Sequence, residues 1–476
     1  MYILQARRFA IFLTGAIVTI IFYWAHFHSE SNIFQHHRQY HTLSISSVPK
    51  LSTSDAVLDG VAKYFIDYKL DGPEYGEVFG ELGRRVQILT DWIGANYEVT
   101  ERNITFPKSV EAATQSMFPF IQKPGSSKDA SHLSNLRNSF VPGSRGIVMA
   151  LGTIDFRYAC HFIVSLRNVL NSSLPVQIMY AGEEDLPSWN RQVLAFLAND
   201  IEFVDILTVF DDVSMQLERN WAIKPFAALA SKFEQVIMID ADAVFLQPPD
   251  ELFNQHAYKE TGTLFFHDRL LWQYGFPERH EWWGREMRNN KPSQTLMKSK
   301  VWTEKFAEEM DSGVVVLDKR RLPIFTSLFH VCWQNTKAVR DNTTYKMTYG
   351  DKESWWFGME LCGVPYSFEK HYGAMIGHLR GPGSKDVCSF TIAHADQKER
   401  LLWFNGSLLK NKHMDKKTFE VPTHWMADGK WQKGARKVDL SCMVGGNVNV
   451  LTGGENAILA KTIEAAKDVD KLHSLI

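Results

Sequence analysis

Short apolar runs between residues 147 and 239 alternate with amphipathic helical stretches, and this alternation restricts the chain to an α/β fold. The strand-like runs are 147–151, 176–180, 201–206 and 236–239, and the helical stretches are 158–170 and 221–233. Two further strand-like runs follow at 262–266 and 313–317. Strand–helix–strand repeats build a mostly parallel sheet with right-handed crossovers. Ligands of such sheets bind beyond the carboxyl ends of the strands.

Two aspartates stand where the run 236–239 ends. Asp240 and Asp242 are two residues apart, so an extended chain places both carboxylates on the same side. Carboxylate oxygens are hard ligands that suit Mg²⁺ or Mn²⁺, and such ions take their other positions from water and phosphates. We therefore predict that this pair holds a divalent cation that helps a nucleoside diphosphate to leave. The same Asp-x-Asp pattern recurs at Asp468 and Asp470 in a charged helical stretch. The prediction for the first pair therefore depends on its position at the end of a strand.

The N-terminal segment predicts a membrane anchor. Residues 9–29 contain no Lys, Arg, Asp or Glu, and a helix of this length just spans a bilayer. Arg7 and Arg8 precede the segment, and no basic residue follows it until Arg38, so residues 1–8 are expected in the cytosol and the rest in the lumen. A cleaved signal peptide is the alternative, but bulky aromatic residues stand where small residues would mark cleavage.

A luminal location agrees with other features of the chain. Four N-x-S/T triplets begin at Asn103, Asn171, Asn342 and Asn405. Five cysteines allow at most two disulfides in an oxidising compartment, and the pairing is left open. The 52 Lys and Arg nearly balance the 54 Asp and Glu, which excludes a polybasic nucleic-acid binder, so we expect no nucleic-acid partner.

The luminal part divides into a stem and helical region over 30–143, a catalytic domain over 144–412 and a C-terminal extension over 413–476. The helical region carries an apolar stripe of Phe79, Leu82, Val86, Leu89 and Ile93. This stripe favours a helix packed on its own domain, and a coiled coil between two chains is the alternative. Gly, Ser, Pro, Asn and Lys fill residues 125–143, which predicts a domain boundary or an exposed loop.

Several ordered blocks carry a family resemblance. They are WAIKPFAALASKFEQVIMIDADAVFLQPP at 221–249, GTLFFHDR at 262–269, DSGVVVL at 311–317, GDKESWW at 350–356, HAD at 394–396 and LWFNG at 402–406. Together they resemble the fungal Golgi α-1,3-mannosyltransferases over about residues 145 to 410. The resemblance implies a type II membrane enzyme of the Golgi with a GT-A-like, Rossmann-like domain. It also implies GDP-mannose as donor, Mn²⁺ as cofactor and retention of the α configuration.

The resemblance also implies donor-binding residues. Gly152, Thr153 and Tyr158 match residues that line the nucleotide, and Tyr158 is a candidate to stack on the base. The alternative for Tyr158 is an aromatic side chain packed on the sheet at the start of a helix. Lys224 matches a lysine that touches the donor phosphates, although a surface lysine is the alternative.

Further roles follow from the later blocks. Asp311 and Ser312 match a turn that binds hydroxyl groups of the donor sugar. Asp351 and Glu353 match the catalytic region, where either could orient or deprotonate the acceptor hydroxyl or act as a nucleophile. Related transferases often have Asp-Gln where this chain has acidic-Lys-acidic, so which carboxylate acts is open. The intervening Lys352 fits a surface ion-pair network equally well.

A histidine and three tryptophans complete the expected site. His394 matches the late histidine that joins the two aspartates in the metal shell, with His378 as the competing ligand. Sugars present apolar faces, so aromatic side chains such as Trp272, Trp355 and Trp356 are expected to line the acceptor cleft.

The function expected from the resemblance is transfer of mannose from GDP-mannose to a mannose-terminated N- or O-linked glycan. An α-1,2 linkage is the nearest alternative, because a few acceptor loops set the linkage. A DxD-type phosphatase with Asp240 as nucleophile and a non-catalytic Golgi lectin or scaffold are alternatives of other classes. The mechanism of retention and the assembly state, including a homodimer or a mannosyltransferase complex, are left open.

Overall fold

A computed structural model describes residues 55–70, 75–95, 98–100, 103–127, 130–217, 221–436 and 438–473. The predicted membrane segment at 9–29 lies outside the described residues, and so does the stem up to residue 54. In the part of the chain that the structure describes, no helix is both long and apolar enough to cross a membrane.

The N-terminal region is a helical layer with one small hairpin. In chain order its elements are α1 Asp55–Asp67, α2 Phe79–Ala95, β1 Glu98–Thr100, β2 Asn103–Thr105, α3 Lys108–Met117 and α4 His132–Asn138. The apolar stripe of α2 is buried against the same chain, and the Phe79 ring packs edge-on against Trp282 and Trp333. This confirms a helix that packs on its own domain, because the stripe is already covered.

Helix α4 corrects the prediction of an exposed loop over residues 125–143. Glu111 lies on α3 and accepts hydrogen bonds from the backbone amides of Leu133 and Ser134, each at 2.9 Å. A cap supplied from another helix satisfies the first amides of α4, and Leu133 is fully buried. The local composition hides this helix because its stabilising partner is more than 20 residues away.

The central sheet begins with alternating strands and helices. The elements are β3 Val141–Ala150, α5 Phe156–Asn168, β4 Val176–Tyr180, α6 Ser188–Leu197, β5 Ile201–Asp205, α7 Asp212–Met215, α8 Ile223–Ala230 and β6 Phe233–Ile239. Strand β3 is parallel to β4 and to β6, and β4 is parallel to β5. The predicted helix over 221–233 ends early, because the Ser231 hydroxyl accepts the Phe233 amide and starts β6 there.

The second half of this sheet reverses one strand. The next elements are β7 Ala243–Phe245, α9 His256–Thr261, β8 Thr263–His267, α10 Pro277–Glu286, α11 Gln294–Lys298, α12 Lys300–Glu304 and β9 Met310–Asp318. Strand β9 is antiparallel to both β6 and β8, and the sheet order is β5-β4-β3-β6-β9-β8. The predicted mixed, mostly parallel sheet is therefore confirmed. Because β9 is reversed, its first residues lie at the edge where the other five strands end.

The remaining elements in the described part of the chain are five helices and the strands of the other sheets. They are α13 Leu322–Gln334, α14 Lys337–Val339, α15 Tyr345–Met347, α16 Lys352–Leu361, β10 Met375–Leu379, β11 Val387–Ser389, β12 Ile392–Ala395, β13 Leu401–Asn405, β14 Leu409–Asn411, β15 Asp415–Phe419, β16 His424–Ala427, β17 Lys430–Gln432, β18 Ser441–Val444, β19 Asn447–Val450 and α17 Gly453–His473. Short 3₁₀ segments lie at Tyr75–Glu77, Pro119–Ile121, Thr153–Asp155, Ile206–Thr208 and Pro249–Asn254, and a π-helical turn at Arg340–Thr344.

A second sheet of six antiparallel strands has the order β17-β18-β11-β10-β16-β19. Its strands come from both sides of residue 412, so the predicted extension over 413–476 shares a sheet with β10 and β11. Cys388 of β11 and Cys442 of β18 lie opposite each other and form a disulfide. Cys160, Cys332 and Cys362 are free and buried.

Candidate active site

The two predicted metal ligands follow β6 directly. The Asp240 amide donates to the Gly313 carbonyl of β9 at 2.8 Å, which fixes the turn at the strand exit. The Asp240 carboxylate lies 2.8 Å from Lys224 Nζ, and the Asp242 carboxylate contacts Lys412 Nζ. Burial raises the pKa of Asp240 to about 6, with the charge of Lys224 opposing and that of Asp242 adding to the shift. Each aspartate therefore has its own cationic partner.

Lys224 lies at the centre of a buried polar cluster. It extends from α8 and donates to the Ser312 carbonyl at 2.8 Å and to the Ser312 hydroxyl at 3.0 Å. Its ammonium group also lies 3.5 Å from the Asp351 carboxylate. Burial alone would lower the pKa of Lys224, but Asp240 and Asp351 outweigh it and raise that pKa. The surface-lysine alternative is thus wrong, because Lys224 is only 4 % exposed.

Asp311 is held from two sides at the start of β9. Its carboxylate accepts hydrogen bonds from the Gly313 amide at 2.9 Å, from the Asn405 side chain at 3.1 Å and from His394 Nε2 at 3.1 Å. Burial opposes ionisation, but the hydrogen bond and charge of His394 hold the pKa of Asp311 well below its usual range. The N-x-S/T triplet at Asn405 thus supplies a side chain that orients Asp311.

His394 lies beside Asp311 and not between the two aspartates of the β6 exit. Its ring stacks on Trp403, which is directly opposite on β13, with 4.3 Å between the ring centroids. Among the described residues, no group of three or more His, Cys, Asp or Glu side chains is arranged to hold a metal ion. The structure does not gather the three predicted ligands into one shell, and the His394 ligand role stays a prediction. The competing His378 instead lies 3.3 Å from Glu420.

The two predicted catalytic carboxylates point to different places. Asp351 accepts the Trp355 indole N–H at 2.8 Å and faces Lys224, so it belongs to the buried cluster. Glu353 accepts the Trp356 indole N–H at 2.5 Å and the backbone amide of Glu309 at 3.0 Å. Burial raises the pKa of Glu353 to about 8.

Lys352 forms an ion pair with Asp268, a residue that directly follows β8. It also lies 3.9 Å from Glu308. Burial opposes the charge of Lys352, yet Asp268 and Glu308 raise its pKa. The ion-pair alternative for Lys352 is confirmed, although the network is largely buried instead of lying on the surface.

The exit of β3 holds the three residues predicted to line a nucleotide. A Cβ atom on Gly152 would lie 2.5 Å from an Asp185 carboxylate oxygen, so a larger residue there would require the Asp185 side chain to move. The Thr153 hydroxyl and amide both donate to the Asp185 carbonyl at 2.8 Å. Tyr158 of α5 is partly buried and lines a small cavity together with Asp242. These residues lie at the same sheet edge as Asp240.

The structure thus brings Lys224, Asp240, Asp311, Ser312 and Asp351 together, with Asp242 next to them on the same turn. Sequence analysis missed Lys412, which lies in a lysine-rich stretch with nothing to distinguish it from its neighbours. It also missed Asp268, although the strand-exit rule that selected Asp240 applies equally to the end of β8.

Two of the predicted acceptor-lining tryptophans belong to the core. Trp355 and Trp356 are both fully buried, and their indole N–H groups bond to Asp351 and Glu353. They therefore orient acidic side chains and do not line a cleft, so this expectation is wrong for them. Trp272, in contrast, is half exposed.

The donors at the β6 exit suit a divalent cation. Asp240 and Asp242 supply hard oxygen atoms two residues apart, and their lysine partners show that the turn attracts positive charge. Asp240 remains partly open to solvent, so a ligand can reach it. The residues present therefore fit Mn²⁺ or Mg²⁺ with at least two protein ligands.

Comparison with known proteins adds a family match. Residues 144–396, more than half of the chain, match the family described as "Mannosyltransferase putative". The α-1,3-mannosyltransferase MNN1 of Saccharomyces cerevisiae is 25% identical over 347 residues, which cover 61% of this chain and 43% of that protein. The α-1,3-mannosyltransferase MNT3 of the same yeast is 28% identical over 276 residues, covering 50% and 42%. The chain spans about half the length of the curated relatives it matches.

Similarity to solved structures is weaker. The galactosyltransferase LgtC in complex with donor and acceptor sugar analogues aligns with a TM-score of 0.30 and 15% identity, over 45% of this chain and 70% of that chain. The mannosyltransferase Ktr4p from S. cerevisiae aligns with a TM-score of 0.29 and 11% identity, over 66% and 82%. Scores this low support no conclusion about the site.

Proposed function

Because the chain belongs to the mannosyltransferase family matched by residues 144–396, we propose that it transfers mannose from GDP-mannose to a mannose-terminated glycan. We further propose α-1,3 linkage, retention of the α configuration and a GT-A-like catalytic domain. The observation that carries the proposal is the exit of β6, where Asp240 and Asp242 each meet a lysine. Two acidic and two basic side chains at one sheet edge suit a cation together with a diphosphate.

Donor binding follows from these four side chains. Asp240 and Asp242 would hold Mn²⁺, and the bound ion would neutralise charge on the leaving nucleoside diphosphate. Lys412 is the more exposed of the two lysines and is placed to exchange Asp242 for a phosphate oxygen. Lys224 is buried and instead fixes Asp240, Ser312 and Asp351 relative to one another. Gly152, Thr153 and Tyr158 would form the nucleoside side of the site, at the exit of β3.

Asp351 is the stronger candidate for the chemical step. Its carboxylate lies 3.5 Å from the Lys224 ammonium group, within the cluster that contains Asp240 and Asp311. A carboxylate at this place can accept the proton of an acceptor hydroxyl or stabilise positive charge that develops at the anomeric carbon. Glu353 bonds to backbone amides and Trp356, which supports a positioning role for it.

The cellular setting is part of the proposal. The charge asymmetry around residues 9–29 supports a single-pass type II membrane protein with its catalytic domain in the lumen, and the resemblance to fungal Golgi enzymes supports the Golgi membrane. Its acceptors would be mannose-terminated N- or O-glycans of secreted proteins. A homodimer or a complex with other mannosyltransferases would be compatible with this arrangement.

The test uses the purified full chain with GDP-mannose, Mn²⁺ and α-mannobiose, and the product linkage is read by NMR. We expect a trisaccharide with a new α-1,3 bond. Asp242→Asn is expected to lower kcat/KM by at least about a hundredfold, as for loss of charge stabilisation at the leaving group. Asp468→Asn is the matched control, because Asp468 has the same sequence pattern but is exposed on α17.

The outcomes separate the alternatives. A new α-1,2 bond would replace the proposed linkage while keeping the chemistry. Binding of α-mannobiose without GDP release would favour a lectin, and phosphate release from a phosphomonoester without mannosyl transfer would favour a phosphatase. Full activity of Asp242→Asn would contradict the assignment of the β6 exit.

A further inference from the structure

A short loop after β8 presents three aromatic side chains to solvent. Trp272 is 50 % exposed, Tyr274 is 70 % exposed and Phe276 is 38 % exposed. The rings of Trp272 and Phe276 meet edge to face with 6.3 Å between their centroids. The Arg279 guanidinium group lies 4.5 Å from the centroid of the Phe276 ring, whereas Trp272 and Tyr274 expose at least half of their surface to solvent. We call residues 270–276 the aromatic loop.

Two of these side chains stand on strained backbone. Trp272 has φ of 48° and Tyr274 has φ of 60°, a region that bulky residues rarely adopt. A glycine or an asparagine would relieve the strain at either position. Such strain persists only where the surroundings fix the conformation, and it concentrates at ligand-binding sites.

The surroundings of the aromatic loop do fix it. The Tyr274 amide donates to the Lys305 carbonyl at 2.8 Å, and the Gln273 side chain donates to the Glu304 carbonyl at 3.0 Å. The Ala307 amide donates to the carbonyl of buried Leu271 at 3.1 Å. The strained backbone that carries the rings is therefore held in place before any ligand arrives, which lowers the entropy cost of binding.

The aromatic loop is connected to the candidate active site through the residues before it and through segment 304–307, to which it is hydrogen-bonded. Asp268 lies four residues before Trp272 and pairs with Lys352, next to the catalytic candidate Asp351. The partner segment 304–307 runs on into β9, which begins one residue before Asp311. The Asp268 amide donates to the Glu309 carbonyl at 2.8 Å and ties the two segments together.

From this geometry we propose that the aromatic loop binds a mannose ring of the acceptor glycan beyond the ring that receives the new bond. This inference rests on the proposed mannosyl transfer and identifies the acceptor as an oligosaccharide of at least two rings. The C–H faces of a pyranose ring stack on flat aromatic side chains, while its hydroxyl groups stay hydrated at the rim. A polypeptide part of the acceptor is the competing ligand.

Binding can be tested apart from catalysis. Isothermal titration of the full chain would compare methyl α-mannoside with an α-linked mannotriose. We expect mannotriose to bind at least about tenfold more tightly than the monosaccharide, and Trp272→Ala to remove that difference while monosaccharide binding stays unchanged. Trp189→Ala is the matched control, because Trp189 is 68 % exposed on α6 without a positive φ.

A second variant separates loss of the ring from loss of the fold. Tyr274→Gly removes an aromatic ring and relieves the positive φ, so it should fold at least as stably as the native chain while binding mannotriose more weakly. Equal mannotriose binding by native, Trp272→Ala and Tyr274→Gly chains would overturn the proposal. So would native binding no tighter for mannotriose than for the monosaccharide, or a Trp272 effect confined to a glycan-free acceptor peptide.

Failure of the proposed function has a different signature. If the native chain binds mannotriose through Trp272 but transfers no mannose from GDP-mannose, the aromatic loop stands as a glycan site and the transferase assignment falls.

Discussion

Asp351 and Glu353 are separated by a single residue, yet their carboxylates meet different partners. Asp351 faces the Lys224 ammonium group, whereas Glu353 accepts hydrogen bonds from Trp356 and from the Glu309 and Met310 amides. Two acidic residues with similar sequence context therefore have different chemical capacities. The difference arises at the start of α16, where successive side chains point in different directions.

Substituting Asp351 and Glu353 separately should distinguish their roles, because only one of the two changes is expected to lower kcat strongly. Asp351→Asn is expected to lower kcat by about a hundredfold or more, because it removes the carboxylate that we propose for the chemical step. Glu353→Gln keeps the shape of the side chain and should change kcat by less than about threefold. Steady-state kinetics with GDP-mannose and mannobiose would measure both. A larger kcat effect for Glu353→Gln than for Asp351→Asn would reverse the assignment.

The buried Glu353 side chain also predicts a pH dependence of stability. Burial raises its pKa from 4.5 to about 8, so the folded chain holds a proton that the unfolded chain releases above pH 4.5. The protonated Glu353 side chain therefore stabilises the folded chain fully below pH 4.5. As the pH rises from 4.5 to 8, the free energy of unfolding falls by about 1.4 kcal/mol per pH unit. Urea unfolding across this range should show the loss. The fall in stability with rising pH should be smaller in Glu353→Gln. An identical dependence on pH in the variant and the native chain would contradict a protonated Glu353 in the folded state.

Lys412 supplies a further prediction at this scale. If Lys412 leaves Asp242 to bind a phosphate of the donor, Lys412→Ala should raise the KM for GDP-mannose. We expect a rise of about tenfold, which corresponds to the loss of one charged hydrogen bond. Lys410→Ala is the matched control, because Lys410 is exposed on the same hairpin. Equal kinetics in the two variants would remove Lys412 from the donor site.

Sequence reasoning identified the strand-exit residues but not all of their partners. Asp240 follows a run of apolar residues, so its place at the sheet edge could be predicted from periodicity. Lys224, Asp311, Ser312 and Asp351 came from the family resemblance. Lys412 could not be found, because only the folded hairpin brings it to Asp242.

At the scale of elements, the position of α2 depends on glycine. A Cβ atom on Gly83 would lie 2.5 Å from the Leu361 carbonyl oxygen at the end of α16, so the two helices touch through backbone atoms. Gly94 is on the same helix, but its nearest neighbour would be a Leu322 methyl group at an ordinary 3.5 Å. One glycine is therefore required by packing, and the other is not.

This pair of glycines gives a stability test. Gly83→Ala should lower the free energy of unfolding by about 1–3 kcal/mol, because the added methyl group forces the helices apart. Gly94→Ala should leave it unchanged or raise it by up to about 1 kcal/mol, since alanine favours helix. Urea unfolding followed by circular dichroism would compare them. Equal destabilisation would mean that the close approach is not tight.

Helices and strands could be predicted accurately where their stabilising contacts are local in sequence, and less accurately where those contacts come from distant parts of the chain. Strands 176–180 and 201–206 could be read almost to the residue, because each is a local apolar run. Helix α4 was missed because its cap comes from Glu111, and the direction of β9 could not be predicted because a strand pattern carries no polarity.

At the scale of the whole molecule, the C-terminal helix is tied to the first helix of the central sheet. Asp470 of α17 is buried and accepts two hydrogen bonds from Arg157, at 3.0 and 2.6 Å, and lies 2.8 Å from His161. Asp468, two residues earlier, is exposed and pairs with Lys471. The buried contacts of Asp470 thus hold α17 against α5, whose Arg157 and His161 lie more than 300 residues earlier in the chain.

Removing this tie should destabilise the entire fold. Asp470→Asn is expected to lower the free energy of unfolding by about 3 kcal/mol, because the Arg157 guanidinium loses its ionic partner inside the protein. Asp468→Asn should change it by less than about 0.5 kcal/mol. Thermal unfolding would separate the two. Equal midpoints would show that the contacts of Asp470 with Arg157 and His161 contribute little to stability.

The disulfide between Cys388 and Cys442 indicates the redox environment in which a molecule of this protein has folded. All three remaining thiols are enclosed, so a molecule folded in a reducing environment and one folded in an oxidising environment would differ by two hydrogen atoms. Intact-mass measurement on protein taken from its native cells would therefore report the chemical history of the polypeptide, independently of any assay of what it does.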